Sequence, residues 1–113
     1  MTGDAGYSII NHIISEGRVL STIFCINDPI AMGAMQALLD AEIKVPEDVS
    51  IIGFNDVEAC NFTRPTLSTV YAPSFEMGEI GASVLHHMIT GDDIHYPRRI
   101  QLPCQLKIRN SCK

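Results

Sequence analysis

The sequence predicts an α/β fold built on a parallel sheet, and three observations carry that expectation. Ser21-Thr22-Ile23-Phe24-Cys25-Ile26 and Val49-Ser50-Ile51-Ile52-Gly53-Phe54 are short, continuous, β-branched apolar runs, the pattern of strands buried on both faces. Each run ends in a pair of short polar residues, Asn27-Asp28 and Asn55-Asp56. A segment of helical period lies between them with short connections, so the three form a βαβ unit with parallel pairing. Ligands of open α/β sheets bind at the carboxyl ends of the strands, which makes the two polar pairs candidate site residues.

Taken in order, Gly3-Asp4-Ala5-Gly6 reads as a loop. Tyr7 to Glu16 carries Ile9, Ile10, Ile13 and Ile14 at helical spacing, with Gly17 after its last turn, and is expected to pack on the sheet. The first strand follows near Leu20 to Ile26. Asp28 fits an N-cap, with Pro29 at the first helical position, where its missing amide hydrogen costs nothing. The helix then runs to about Ala41, with Ile30, Ala34, Leu38 and Ala41 as the sheet-facing stripe, widened by Met35 and Leu39. Met32 shares a mostly polar stripe with Gln36 and Asp40, either as a single exposed methionine or as a subunit contact.

The central strand, Val49 to Phe54, has Gly53 to loosen the backbone near its end. Val57 to Thr63 is irregular, Arg64-Pro65 is extended, and Leu67 to Tyr71 is a short strand. Ser74 is positioned to cap a helix from Phe75 to Thr90, with Met77, Ile80, Gly81, Val84, Leu85 and Met88 as its apolar face and Gly91 ending it. Asp92-Asp93 is a turn. Arg98 to Pro103 and Gln105 to Arg109 are two short extended pieces.

Composition narrows the chemistry. The 113 residues are 46% hydrophobic and 19% charged, an ordinary globular balance that allows one core. A net charge of −5 with no basic run beyond Arg98-Arg99 gives this chain no cationic face for phosphates. No apolar run reaches the roughly 20 residues of a spanning helix, and the first residues carry no signal-peptide pattern. Cys25, Cys60, Cys104 and Cys112 lack zinc-site spacing, and free thiols of this kind fit a cytoplasmic protein. His12 is a helix-surface residue. His86 and His87 are helix neighbours pointing about 100° apart, a poor metal pair.

No dinucleotide or nucleoside-triphosphate fingerprint and no nucleophile elbow occurs. With Asp28 read as a cap and Asp48 as a loop residue, the rim is Asn27, Asn55 and Asp56. These are hydrogen-bonding groups suited to a hydroxyl-rich ligand, so binding explains them better than catalysis. No cofactor is expected.

The strings Phe24-Cys25-Ile26-Asn27-Asp28-Pro29-Ile30-Ala31-Met32-Gly33-Ala34, Val45 through Asp56, Pro65-Thr66-Leu67-Ser68-Thr69-Val70, and Leu102-Pro103 with Arg109-Asn110-Ser111 resemble the carboxyl-terminal part of LacI/GalR-family transcription regulators. The resemblance covers nearly the whole chain. It implies a fragment of a type I periplasmic-binding-protein-like domain, a parallel-sheet three-layer sandwich, in a cytoplasmic, homodimeric repressor that is not an enzyme. Such a protein holds a small effector, usually a sugar, between two lobes and meets operator DNA through a separate amino-terminal domain.

Residues 1–72 and 98–113 would lie mainly in the carboxyl-terminal lobe, and 73–97 in the other, with no DNA-binding domain in this chain. The helix from Phe75 would then show an apolar face without its usual partner. By position, Asn27 falls on a ligand contact and Asn55 where the family commonly has an acceptor Asp; Asp56 and Tyr71 complete the expected ligand set. Ala72 stands where some members carry a polar contact. The resemblance places Met32, Met35, Gln36, Glu58, Cys60 and Phe62 at the dimer interface. A part of an extracytoplasmic sugar-binding transport protein is the competing reading. A small enzyme using Asp28 and Asp56 is a third, and it lacks an accompanying nucleophile, metal set or phosphate loop.

Overall fold

The computed structural model describes residues 2–91 and 99–113. The element order is α1 (Gly3–Ser15), β1 (Thr22–Phe24), α2 (Asp28–Asp40), β2 (Ser50–Phe54), a 3₁₀ turn (Glu58–Asn61), β3 (Ser68–Tyr71), α3 (Ser74–Thr90) and β4 (Gln105–Lys107). The four strands lie in the order β1-β2-β3-β4. The first three are parallel, and β4 joins β3 antiparallel at the edge. The expected βαβ unit is β1-α2-β2.

One sheet face carries Ile23, Cys25, Ile51, Gly53 and Thr69, and α2 covers it with Ala31, Ala34, Met35, Ala37 and Leu38, all buried. The opposite face is less covered: Phe24 and Leu106 are 63% and 57% exposed, and Ile52 and Phe54 are half-buried. Helix α2 packs on the sheet, and α1 packs on α2.

Helix α1 starts earlier than its sequence suggests. Gly3 to Gly6 is helical because the glycines permit contact between helix backbones, an alternative to loop formation. A Cβ on Gly6 would stand 2.1 Å from the Ile30 carbonyl oxygen, and one on Gly33 would stand 1.8 Å from that of Gly3. The partner of α1 is therefore α2; the expected packing directly on the sheet is corrected. Tyr7 Oη donates to Asp40 across the same pair at 2.9 Å.

Smaller differences have local causes. The α2 N-cap is Asn27, whose Oδ1 accepts from Ile30 N at 2.9 Å, one residue before the expected Asp28. Ala41 is the exposed C-cap of α2 and not part of its buried stripe. Ser74 begins α3 instead of capping it, and Gly91 ends that helix at φ 73° as expected. The strands β1 and β3 are shorter than their apolar runs. Of the tail, Gln105–Lys107 forms β4, whereas 99–103 is not strand; Arg98 and the Asp92-Asp93 turn lie outside the described residues.

Helix α3 has no buried residue. Phe75, Met77, Leu85, Met88 and Ile89 are all more than half exposed, so among the described residues this apolar face is largely uncovered. Its inner side and residues 99–104 enclose an apolar cavity of about 680 Å³ lined by Phe54, Met77, Ile80, Val84, Leu85 and Leu102 among others.

Candidate functional site

Because β1, β2 and β3 are adjacent and parallel, their carboxyl ends emerge along one edge. Asn27 leaves β1 there, Asn55 and Asp56 leave β2, and Tyr71 ends β3. The structure thus brings the expected ligand residues to one rim, in differing states.

Asn27 is half-buried, and its Oδ1 is committed to the helix cap. Its Nδ2 retains two hydrogens to donate. Asn55 is exposed, and its backbone amide is fixed to the Val70 carbonyl at 2.9 Å, so only its side chain is offered. Asp56 is engaged internally: Arg109 Nη2 donates to its Oδ1 at 2.7 Å in a pair whose side chains are 18% and 17% exposed. Tyr71 is half-buried, with Lys107 Nζ 5.9 Å from its ring centroid. The apolar cavity beside the rim touches Phe54 and Ala72, whereas none of these polar groups lines it.

Asn55 and Asp56 both have positive φ, 101° and 56°. Successive left-handed residues turn the chain sharply out of β2, and Asx side chains tolerate that region better than most. What holds the corner is a set of side-chain contacts that residue spacing does not show. Asp28 is fully buried; its Oδ1 accepts from Thr69 Oγ1 at 2.6 Å and its Oδ2 from Val57 N at 2.9 Å. The carboxylate fits there because Gly53 lacks a side chain. A Cβ on Gly53 would lie 2.2 Å from Asp28 Oδ1, so this glycine makes room for the carboxylate; its expected role of loosening the strand end is corrected. The Asp-Pro pair after a strand resembled a cap, and spacing alone gave no sign of the loop it ties down.

The chain end is a second missed feature. Arg109 Nη1 donates to the Leu67 carbonyl at 2.8 Å, and its backbone N donates to Ser68 Oγ at 2.8 Å. The buried Ser111 hydroxyl accepts from Ser68 N at 2.8 Å and donates to Ile51 O at 2.7 Å. Arg109-Asn110-Ser111 was legible as a family string, without these roles.

The interface set divides by burial. Met35 and Cys60 are 4% and 0% exposed and face the interior of this chain. Met32 is half-buried against the core, Gln36 and Glu58 are exposed, and Phe62 is 72% exposed. Burial first, then the nearby Asp28 carboxylate, push the Cys60 thiol up to about 12 and that of Cys25 to about 11. Among the described residues no group of three His, Cys, Asp or Glu converges as a metal site, and no helix is long and apolar enough to cross a membrane.

The model of the periplasmic binding protein-like domain matches residues 4–112. The chain belongs to this family. Among curated relatives, the ribose operon repressor of Escherichia coli K12 is 36% identical over 115 residues, 98% of this chain and 34% of the relative. The HTH-type transcriptional repressor PurR of Haemophilus influenzae Rd is 34% identical over 110 residues, 96% of this chain and 33% of the relative. This periplasmic binding protein-like chain therefore spans about a third of the length of the curated relatives it matches, and the LacI/GalR resemblance read from its motifs is upheld.

Solved structures agree. A LacI family regulator from Enterococcus faecium with bound ribose superposes with a TM-score of 0.85 at 28% identity, over 99% of this chain and 41% of that one. A lac repressor dimer bound to operator and an anti-inducer gives a TM-score of 0.89 at 24% identity, over 98% of this chain and 38% of that one, and shows the shared fold.

Proposed function

We propose that this chain is the effector-binding and dimerisation region of a LacI-family transcriptional repressor, and that the effector is a sugar. The observation that supports this most is the convergence of Asn27, Asn55 and Tyr71 on one rim by three adjacent parallel strands. Amides and a phenol supply donors and acceptors for hydroxyl groups at neutral pH without a charged ligand partner. Asp56 belongs to this rim as the residue that fixes the corner under Asn55.

The relatives are repressors and regulators, which favours this reading over a transport receptor. In the whole protein, residues 1–72 and 98–113 form one lobe and 73–97 join the other, which covers the apolar side of α3. Two copies meet through Met32, Gln36, Glu58 and Phe62, operator DNA is met through a separate domain, and the protein works in the cytoplasm. The test is a mobility-shift titration of the intact protein on the DNA preceding its own operon, with and without D-ribose and related aldoses. A sugar-dependent change in the shifted fraction supports the reading. A protein that shifts that DNA identically with every sugar, or does not shift it, contradicts it.

A further inference from the structure

The corner Asn55-Asp56 is held from two sides, each by a residue distant in sequence. Asp28 grips Val57 and Thr69 from beneath the sheet edge. The other hold comes from the last residues of the sequence. Arg109 is rooted by its own backbone bond to Ser68 Oγ, and its guanidinium spans the gap between the Leu67 carbonyl and Asp56 Oδ1 with two bonds of 2.8 and 2.7 Å. Its side chain is 18% exposed, so solvent competes little for the pair. A planar fork that satisfies two fixed acceptors sets direction as well as distance, which a lysine would not reproduce.

The backbone it holds is one that L-residues rarely adopt, with φ of 101° and 56° in succession. Such residues persist where their surroundings over-determine them. Asp56 N donates to Thr69 Oγ1 at a long 3.3 Å, whereas the Arg109 guanidinium holds the Asp56 carboxylate at 2.7 Å.

We propose that Arg109 is a positioning residue of the ligand rim: by pinning Asp56 it fixes the left-handed corner and therefore where the Asn55 amide is presented. This rests on the reading of the rim as the effector site. The carboxyl-terminal segment thereby becomes part of the binding machinery although none of its side chains is asked to touch ligand.

The test uses isotope-labelled wild-type chain, Arg109→Gln, Arg109→Lys and Asp56→Asn. Asp56→Asn keeps every backbone bond of the tail and guards against a failure of Arg109→Gln to fold. The readouts are the HN–Hα coupling and Cα shift of Asn55 and Asp56, and exchange of the Asn55 amide that bonds Val70. In Arg109→Gln and Asp56→Asn the left-handed signature averages out and Asn55 exchange rises about tenfold, the scale of one lost charge-assisted bond, while α2 amides stay protected. Arg109→Lys restores the signature in part. A purely structural role would instead raise exchange uniformly across α2 and the sheet, and that result, or an unchanged corner, overturns the proposal.

D-Ribose titrated into the intact protein separates the two ideas. Equal affinity of wild type and Arg109→Gln overturns the positioning role. Binding to neither counts against the sugar reading of the rim and leaves the corner signature to decide the positioning role.

Discussion

Thr69 Oγ1 donates to Asp28 Oδ1 at 2.6 Å, joining the start of α2 to the middle of β3 across a fully buried contact. The hydroxyl also accepts, at 3.3 Å, from Asp56 N. Thr69 is thus the point where the helix that follows Asn27 and the corner that carries Asn55 are set relative to each other.

Thr69→Val replaces the hydroxyl by a methyl group of nearly the same volume and leaves one carboxylate oxygen of Asp28 without its donor. Loss of a buried hydrogen bond to a charged group costs about 1.5–3 kcal/mol. Urea unfolding followed by circular dichroism is expected to show that loss. Thr66→Val serves as the comparison, because the Thr66 hydroxyl only accepts an exposed 3.3 Å bond from Asn110 N; its expected cost is under about 0.5 kcal/mol.

Gly53→Ala forces a methyl group against Asp28 Oδ1, which sits 2.2 Å from the Cβ position. Overpacking of this kind costs about 1–3 kcal/mol. Asp28→Ala is destabilising by itself, since Val57 N and Thr69 Oγ1 lose their acceptor. It also clears the space. The double variant is therefore expected to be more stable than the sum of the singles by at least about 1 kcal/mol. Additivity in unfolding free energy would show that Gly53 and Asp28 do not constrain each other.

The glycines of the helices divide in the same way. Gly33→Ala sets a Cβ 1.8 Å from the Gly3 carbonyl oxygen and must push α1 off α2, with an expected loss of about 2 kcal/mol or more. Gly78 on α3 has nothing within 4 Å of its Cβ position, so Gly78→Ala gains helix propensity and is expected to stabilise by about 0.5–1 kcal/mol. Melting temperatures of the two variants should move in opposite directions.

Sequence pattern showed the parts of this fold that depend on local periodicity and end signals. The apolar runs located β1, β2 and β3, and Gly91 located the end of α3. Gly3 and Gly6 were misread because glycine marks both a loop and a close helix crossing, and only the position of Gly33 on another helix separates the two. Asp28 was misread for a related reason. At the mouth of a helix an aspartate is a good cap, and its burial depends on Gly53 and Thr69, which are distant in sequence. Of the rim, Asn27, Asn55 and Asp56 were legible as polar residues ending apolar runs, whereas the Arg109 anchor spans 53 positions of sequence and left no local trace.

Burial and the nearby Asp28 carboxylate favour the neutral thiols of Cys60 and Cys25, raised from 9.0 to about 12 and about 11. With the folded-state values raised, the folded chain holds these protons where the unfolded chain releases them. Stability is accordingly independent of these groups below pH 9 and falls as pH rises from 9 towards 11 and 12. The urea midpoint is expected to drop over that window. Cys60→Ala, whatever its cost at neutral pH, should flatten the slope. At pH 8 the exposed Cys104 is expected to react rapidly with a thiol reagent, whereas Cys25 and Cys60 react only on unfolding.

Calorimetric titration of the intact protein and its Asn55→Gly variant with D-ribose and related aldoses decides whether the rim bearing Asn55 binds a sugar. Glycine suits the φ of 101° at this position, so the variant removes the amide and keeps the corner. The wild type is expected to bind one aldose saturably, with a dissociation constant raised about three- to tenfold or more in Asn55→Gly at unchanged melting temperature. Equal affinities in the two proteins, or no aldose bound by the wild type, would rule out a sugar site at this rim.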